Sequence, residues 1–270
     1  VWGVTKMKQT TIIASATRVY TSNLLDWARC TLLLILCSAS IACGQWPFSQ
    51  AQFLAPPMAN AADNRLSEKE ISSGWFLLFD GQTLDQWRTY NQEQPGSGWL
   101  VENGVMVLNT GGGGDLITKG QWSDFEMSLD WQISIQGNSG VFFLADESEL
   151  PIFVHAPEIQ ILDNERHADR KKANHRSGSL YDMVAAPSAS QRPAGVWNNL
   201  RIKLEARRLQ VWQNDVESVD ILLDSQHWRS LVASSKFSDW PGFGENLSGH
   251  IGLQDHSDPV AFKNVKIRPL

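Results

Sequence analysis

From Phe125 to Ile133 the chain reads F-E-M-S-L-D-W-Q-I, with an apolar residue at every odd position and a polar one at every even position. Only an extended strand has a two-residue side-chain period, so this segment predicts a β-strand with one face on a core. Other segments follow the same grammar. Trp99–Glu102 and Val105–Leu108 flank Asn103-Gly104, and this pair suits a type I′ hairpin turn, whose two central residues both need positive φ. Trp75–Phe79 reads as a buried strand stopped by Asp80-Gly81, and Val141–Ala145, Leu200–Glu205, Leu209–Gln213 and Val260–Ile267 as further strands, with Asn214-Asp215 as another hairpin turn. Helix is expected only as one turn over Leu66–Glu70, capped by Ser67, and over Gln226–Val232. Many short strands with glycine-rich turns and almost no helix predict an all-β, jelly-roll β-sandwich in one domain. No βαβ alternation is present, which speaks against Rossmann and TIM architectures.

The first part of the chain reads differently. Lys6, Lys8, Arg18 and Arg29 precede the apolar run Thr31–Ala42, which ends in small residues. A basic stretch, a short apolar stretch and a small-residue end predict an export signal over residues 1–43. The run is too short to span a bilayer, which needs about 20 apolar residues. Cleavage after Ala42 would leave Cys43 first, raising a lipid anchor there, although Ser40 stands where a lipobox normally has leucine. The expected location is therefore periplasmic, cell-surface or secreted. All three cysteines, Cys30, Cys37 and Cys43, lie in or beside this signal, so neither disulfides nor thiol chemistry are expected in the domain. Residues 44–70, rich in Gln, Ala and Pro, read as a flexible linker, and residues 71–270 as the domain. A net charge of −6 leaves no electrostatic footprint for nucleic acid.

The chemistry-bearing residues lie on two strand faces far apart in sequence. In P-E-I-Q-I-L-D-N (Pro157–Asn164), Ile159 and Ile161 oppose Glu158 and Gln160; in G-H-I-G-L-Q-D-H (Gly249–His256), Ile251 and Leu253 oppose His250, Gln254 and His256. A carboxyl, two carboxamides and two imidazoles on strand faces predict a polar cleft floored by a sheet, suited to an oligosaccharide or glycoside. Twelve tryptophans must serve mostly as core, leaving one or two as platforms for pyranose rings.

The ordered blocks L-F-D-G-x-x-L-x-x-W (Leu78–Trp87), G-D-L-I-T (Gly114–Thr118), S-D-F-E-M (Ser123–Met127), G-N-S-G-V-F (Gly137–Phe142), P-E-I-Q-I-L-D-N, H-R-S-G-S-L-Y-D (His175–Asp182), W-P-G-F-G (Trp240–Gly244) and G-H-I-G-L-Q-D-H resemble the 3-keto-disaccharide hydrolase domain family. The likeness runs from about Gly74 to Leu270, departing at Asn214-Asp215, where members often carry Asn-Gly. It implies a concanavalin-like sandwich, usually exported, acting on glycosides oxidised at C3. A C3 ketone acidifies the C2 hydrogen, because the resulting carbanion is an enolate. Elimination of the C1 leaving group and hydration of the enone then give net hydrolysis. That route needs a base for C2–H, an acid for the glycosidic oxygen and a cation or donor near the C3 oxygen. Direct hydrolysis instead uses two carboxylates. The sequence leaves both routes open, with a non-catalytic lectin-like module as the alternative.

Glu158, mid-strand on the polar face, is the expected general acid, or else a structural acceptor. Asp163 falls on the Ile159 face by strict alternation and reaches the cleft only if the strand ends or bulges at Leu162; otherwise it caps the Asp-Asn turn. His175 is a candidate base and Arg176 a candidate partner of the enolate, or both make loop ion pairs with Glu165 or Asp169. His256 and Gln254 share a face adjoining Glu158 and Gln160, Tyr181 is a candidate donor to substrate, and Asp255 faces away. Lys236 precedes the rigid lip Phe237–Gly244, in which Trp240 is either a stacking platform or a core residue. Gly111–Gly114 has the composition of a phosphate cradle, but no GK[ST] follows, so no nucleotide cofactor is expected. A divalent metal polarising the ketone stays open, since no close His-x-x-x-His or cysteine pair argues for one.

Overall fold

The computed structural model describes residues 52–148 and 151–270; the expected export signal and Cys43 lie outside them. A short helix α1 (Glu68–Ser72) is followed by β1 (Phe76–Leu77), β2 (Trp87–Thr89), β3 (Trp99–Glu102), β4 (Val105–Leu108), β5 (Leu116–Thr118), β6 (Phe125–Ile133), β7 (Asn138–Ala145) and β8 (Glu158–Leu162). After a long loop come β9 (Asn198–Glu205), β10 (Arg208–Gln213), β11 (Val216–Leu222), helix α2 (Gln226–Ser234), β12 (His250–Leu253) and β13 (Val260–Pro269). Two antiparallel sheets form a sandwich. The larger runs β11-β10-β9-β6-β13-β4-β3, with β1 also pairing β13; the smaller runs β2-β5-β12-β7-β8. The core between them takes Met127, Leu129 and Trp131 from β6, Val141 and Phe143 from β7, Ile159 and Ile161 from β8, and Ile251 and Leu253 from β12. The apolar half of each alternating pattern is thus the half that faces the core, as period-two segments require. Among the described residues no helix is long and apolar enough to cross a membrane.

The expected hairpin turns form for the expected reason: Asn103, Gly104, Asn214 and Asp215 all have positive φ (52°, 74°, 50° and 65°). Ser67 and Glu70 close a reciprocal capping box on α1. Three strands escape the alternation rule. β2 and β5 have three residues each, too short for a period to show. In β11 the pairing with β10 slips between Val211 and Trp212, a bulge that puts Val216, Val219 and Ile221 out of strict alternation. The strand expected over Trp75–Phe79 shrinks to two residues, with Phe76 38% exposed.

The linker reading over residues 44–70 needs correction within its described part. Asn64 and Asn264 exchange bonds between backbone N–H and side-chain oxygen (2.6 and 2.8 Å), and Asp63 pairs with Lys263 at 2.7 Å. Ala59 N–H donates to the Asn103 carbonyl. Asp63 and Asn64 bind this stretch to β13, and Asn64 and Ala59 bind it to the β3–β4 turn, while Gln52, Asn60 and Arg65 stay exposed.

Candidate active site

The site is built on the outer face of the smaller sheet. β7 and β8 pair with Phe142 opposite Glu158, Gly140 opposite Gln160 and Asn138 opposite Leu162, so all six share the face turned away from the core. Near the Phe142 end this face is sealed by a small apolar cluster, Tyr90, Ile117, Ala145, Ile152 and Ala156. The rest forms a cavity of about 230 Å³ lined by Asn138, Phe153, Glu158, Gln160, Tyr181, Lys236, Gln254 and His256. A larger hollow of about 500 Å³ lies beside α2, between Trp228, Phe243 and Leu247, but gathers no comparable acid–base set. Gly140 makes the floor passable: a Cβ there would lie 2.1 Å from Glu158 Oε1, so the carboxyl crosses the strand through space only glycine leaves.

Glu158 is 8% exposed, and its carboxyl makes no hydrogen bond among the described residues. Burial pushes it up to about 8, against the pull of Lys236 and with a further push from Asp115. At neutral pH it is therefore a protonated acid. His256, at the mouth, lies 3.7 Å from Asp258, which raises its imidazole above the ordinary value against the opposing effect of burial. Lys236 sets its ammonium 4.2 Å over the Tyr181 ring; desolvation lowers its pKa, while Glu158 counters. Asn138 Oδ1 and Gln254 Oε1 are buried without a partner among the described residues, two acceptors on residues that line a polar cavity. Buried acceptors without partners are costly and call for a donor, which sugar hydroxyls supply.

Seven sequence candidates meet in or against this cavity: Glu158, Gln160, Tyr181, Lys236, Gln254 and His256 line it, and Trp240 stands behind Phe153, stacked at 5.7 Å. Of the two roles read for Trp240, the structure shows the packing one: Phe153 and Tyr181 are the aromatics lining the cavity, and Trp240 is partly buried against the core. Three candidates lie elsewhere. Asp163 is fully buried, accepting from the N–H groups of Gln136 (2.8 Å) and Glu165 (3.0 Å); β8 ends at Leu162, and the Asp-Asn turn takes the carboxylate. His175 sits between Asp169 (Nδ1, 2.8 Å) and Asp182 (Nε2, 2.7 Å), which leaves no ring nitrogen to take a substrate proton. Arg176 donates to the Arg170 carbonyl and borders a separate hollow with Asn164 and Glu165, away from the cavity. His250 keeps the alternation it shares with Gln254, since the bulge at this point lies in β7, but it sits four residues back along β12, where it bonds the Thr118 carbonyl and does not line the cavity.

Asn138 and Phe153 escape a reading of the sequence. Asn138 stands in the G-N-S-G block one pleat from Gly140, so only the pairing of β7 with β8 reveals it; Phe153 sits in a 3-10 turn with no periodic signal. The glycine run has its explanation too. The N–H groups of Gly112, Gly113 and Gly114 converge on Asp255 Oδ2 (2.9, 2.8 and 2.9 Å), a nest filled by the chain's own carboxylate. Two tryptophans, Trp212 in β10 and Trp197 just before β9, have cations over their rings, Arg201 at 3.6 Å and Lys263 at 4.6 Å. Among the described residues no group of three or more His, Cys, Asp or Glu is placed to hold a metal ion.

A jelly-roll sandwich whose small sheet floors a polar pocket with an acid, an imidazole and paired carboxamides defines a class of carbohydrate-active proteins. Residues 74–268 match the 3-keto-alpha-glucoside-1,2-lyase-like domain, and the chain belongs to that family. A 3-keto-disaccharide hydrolase of Bacteroides thetaiotaomicron is 34% identical over 277 aligned residues, covering 88% of this chain and 94% of the relative. Two crystal structures from Parabacteroides distasonis, both provisionally described as glycosyl hydrolases, share the fold. One superposes with a TM-score of 0.73 at 29% identity, covering 77% of this chain and 99% of the other; the second has a TM-score of 0.56 at 25% identity, covering 73% and 99%.

Proposed function

We propose that this chain is an exported enzyme that cleaves 3-keto-glycosides by elimination followed by hydration. The observation that carries this is Glu158: a buried carboxyl without a hydrogen bond, pushed up to about 8, on the floor of a sugar-sized cavity. It holds a proton at neutral pH for a leaving group. It is also the only carboxyl among the cavity-lining residues. Ordinary glycosidases need a second carboxylate across the scissile bond, so the lining suits a route that needs one acid and a different kind of base. His256 is that base in this reading, taking the C2 proton to leave an enolate. The Lys236 ammonium, seated over the Tyr181 ring, faces the developing negative charge on the C3 oxygen. As the enolate re-forms the carbonyl, the C1–O bond breaks and its electron pair takes the Glu158 proton. Water adding across the enone completes net hydrolysis. Gln160, Gln254 and Asn138 hold the remaining hydroxyls, and Phe153 packs against the ring's C–H face. The role expected of Arg176 beside the enolate passes to Lys236.

The test is to incubate the protein with a 3-keto-glucoside and with its unoxidised parent in deuterated water. Cleavage of the ketone alone, with deuterium at C2 of the released sugar above a no-enzyme control, is the expected result. Cleavage of the parent would overturn the substrate class, and full retention of the C2 hydrogen would overturn elimination.

A further inference from the structure

His175 is 5% exposed, has both ring nitrogens bonded, and does not touch the cavity, yet each aspartate it joins grips a cavity residue. Asp169 Oδ2 accepts from the Tyr181 hydroxyl at 3.0 Å, and Asp182 Oδ2 accepts from the backbone N–H of Lys236 at 2.8 Å. The imidazole also lies against the Tyr181 ring, centroid to centroid 4.4 Å, and the Lys236 ammonium rests on the same ring at 4.2 Å. The loop after β8 and the segment after α2 come from distant parts of the chain, 54 residues apart at the Asp182–Lys236 bond. Asp182 itself has positive φ (58°), a conformation aspartate adopts more readily than most residues.

We propose that His175 is the positioning residue of this site: by spanning Asp169 and Asp182 it fixes the two chain segments that present Tyr181 and Lys236, and so sets the Lys236 ammonium against Glu158. The inference rests on the elimination reading for its catalytic consequence, but its structural content does not. Glu158 feels Lys236 as the strongest influence keeping it from rising further; Asp115 and Asp169 push it up, and His256 pulls it down. Breaking the clamp frees the Lys236 segment and removes the chief downward pull; Asp115 and His256 stay on their own elements, and Asp169, which His175 also holds, is the weakest of the four charged influences. The Glu158 carboxyl should then titrate higher. A histidine that merely filled space would leave this titration where it is.

Glutamine cannot span both aspartates, so H175Q keeps bulk and polarity while breaking the clamp. The Glu158 carboxyl is followed by ¹³C NMR across pH, its signal identified by loss in E158Q, which needs no substrate. The expected result is a Glu158 midpoint several tenths of a pH unit above wild type or more. Lys236→Met should raise it likewise, and H175Q should add little in the K236M background, because both act through one ammonium. Should H175Q not fold, Asp182→Asn breaks the same bridge and should give the same shift. On a 3-keto-glucoside, H175Q should lose about tenfold to a hundredfold in kcat/KM, the loss that loosened positioning brings, with the alkaline limb of its pH profile displaced upward. An unchanged Glu158 midpoint in both folded variants overturns the clamp. Absence of cleavage by wild type, with the midpoint still shifted in H175Q, overturns the elimination reading and leaves the clamp standing.

Discussion

Glu158 concentrates the conflict between stability and chemistry in one side chain. Its carboxyl titrates at 4.5 in an ordinary setting and at about 8 here. Because the folded pKa is raised, the folded state holds the proton over a range where the unfolded chain has released it. Stability from this group is full below about 4.5 and drains away as pH rises to about 8. Glu158→Gln removes that drain. Its Tm should match wild type near pH 4.5 and exceed it at pH 8.5, by an amount equivalent to about 2–4 kcal/mol after local relaxation, since each pH unit between the folded and unfolded midpoints is worth about 1.4 kcal/mol. Equal Tm differences at both pH values would mean the carboxyl is not held neutral. The same group sets the enzyme's working range. Activity should fall as pH rises through about 8, when the acid is lost, and fall again on the acid side as His256 takes up a proton at a pH somewhat above its ordinary value. E158Q should abolish the alkaline limb and spare activated aryl leaving groups most, since these need little protonation.

At the scale of elements, the site depends on how β7 and β8 lie side by side. Period two puts Glu158 and Gln160 on one face, but the room for the acid comes from Gly140 on the neighbouring strand. Gly140→Ala would set a methyl group 2.1 Å from Oε1 as the chain now stands. The clash meets Oε1, the carboxyl carbon (2.7 Å) and Cγ (2.8 Å) of Glu158, all side-chain rather than backbone atoms, so the side chain as a whole must swing to another rotamer while the fold is kept. Expected is a loss of about tenfold or more in kcat with Tm nearly unchanged; retained activity would show that Glu158 does not act from its present position. β12 runs on into Gln254–Asp258, where alternate residues part company: Gln254 and His256 face the cavity while Asp255 turns to the three glycine N–H groups. Charge-assisted bonds to backbone donors are strong, so the glycine run steadies the strand end that presents the acid–base residues.

For the whole molecule, the segment before α1 is a structural strap. Lys263 and Asp63 are nearly buried, with side-chain exposures of 8% and 10%. Breaking such a pair leaves an uncompensated charge. A protein beginning at Gln52 should therefore melt about 5 °C or more above one beginning at Leu66, given the usual 2–4 °C per kcal/mol for domains of this size. Both should give a strand-dominated circular dichroism spectrum and melts indifferent to reductant, because every cysteine precedes Gln52. Equal melting temperatures would return the stretch to the role of a linker.

The sequence alone determined what period and turn chemistry can encode: the two-sheet architecture, the hairpins at Asn103-Gly104 and Asn214-Asp215, the capping of α1, and the facing of Glu158 and Gln160 away from Ile159 and Ile161. These are local, since side-chain direction in a strand and positive φ in a turn depend on near neighbours. Tertiary structure decided everything that depends on which distant segments meet. It ended β8 before Asp163, closed aspartates on both nitrogens of His175, turned Arg176 to another hollow, slid Phe153 in front of Trp240 and opened room over Gly140. A histidine in sequence offers two nitrogens; whether either is free for substrate is settled only when Asp169 and Asp182 fold around it. Burial likewise cannot be read from a strand pattern one face at a time. The outer face carrying Glu158 is enclosed by the loop after β8 and the lip after α2, and that enclosure is what makes its carboxyl an acid at neutral pH.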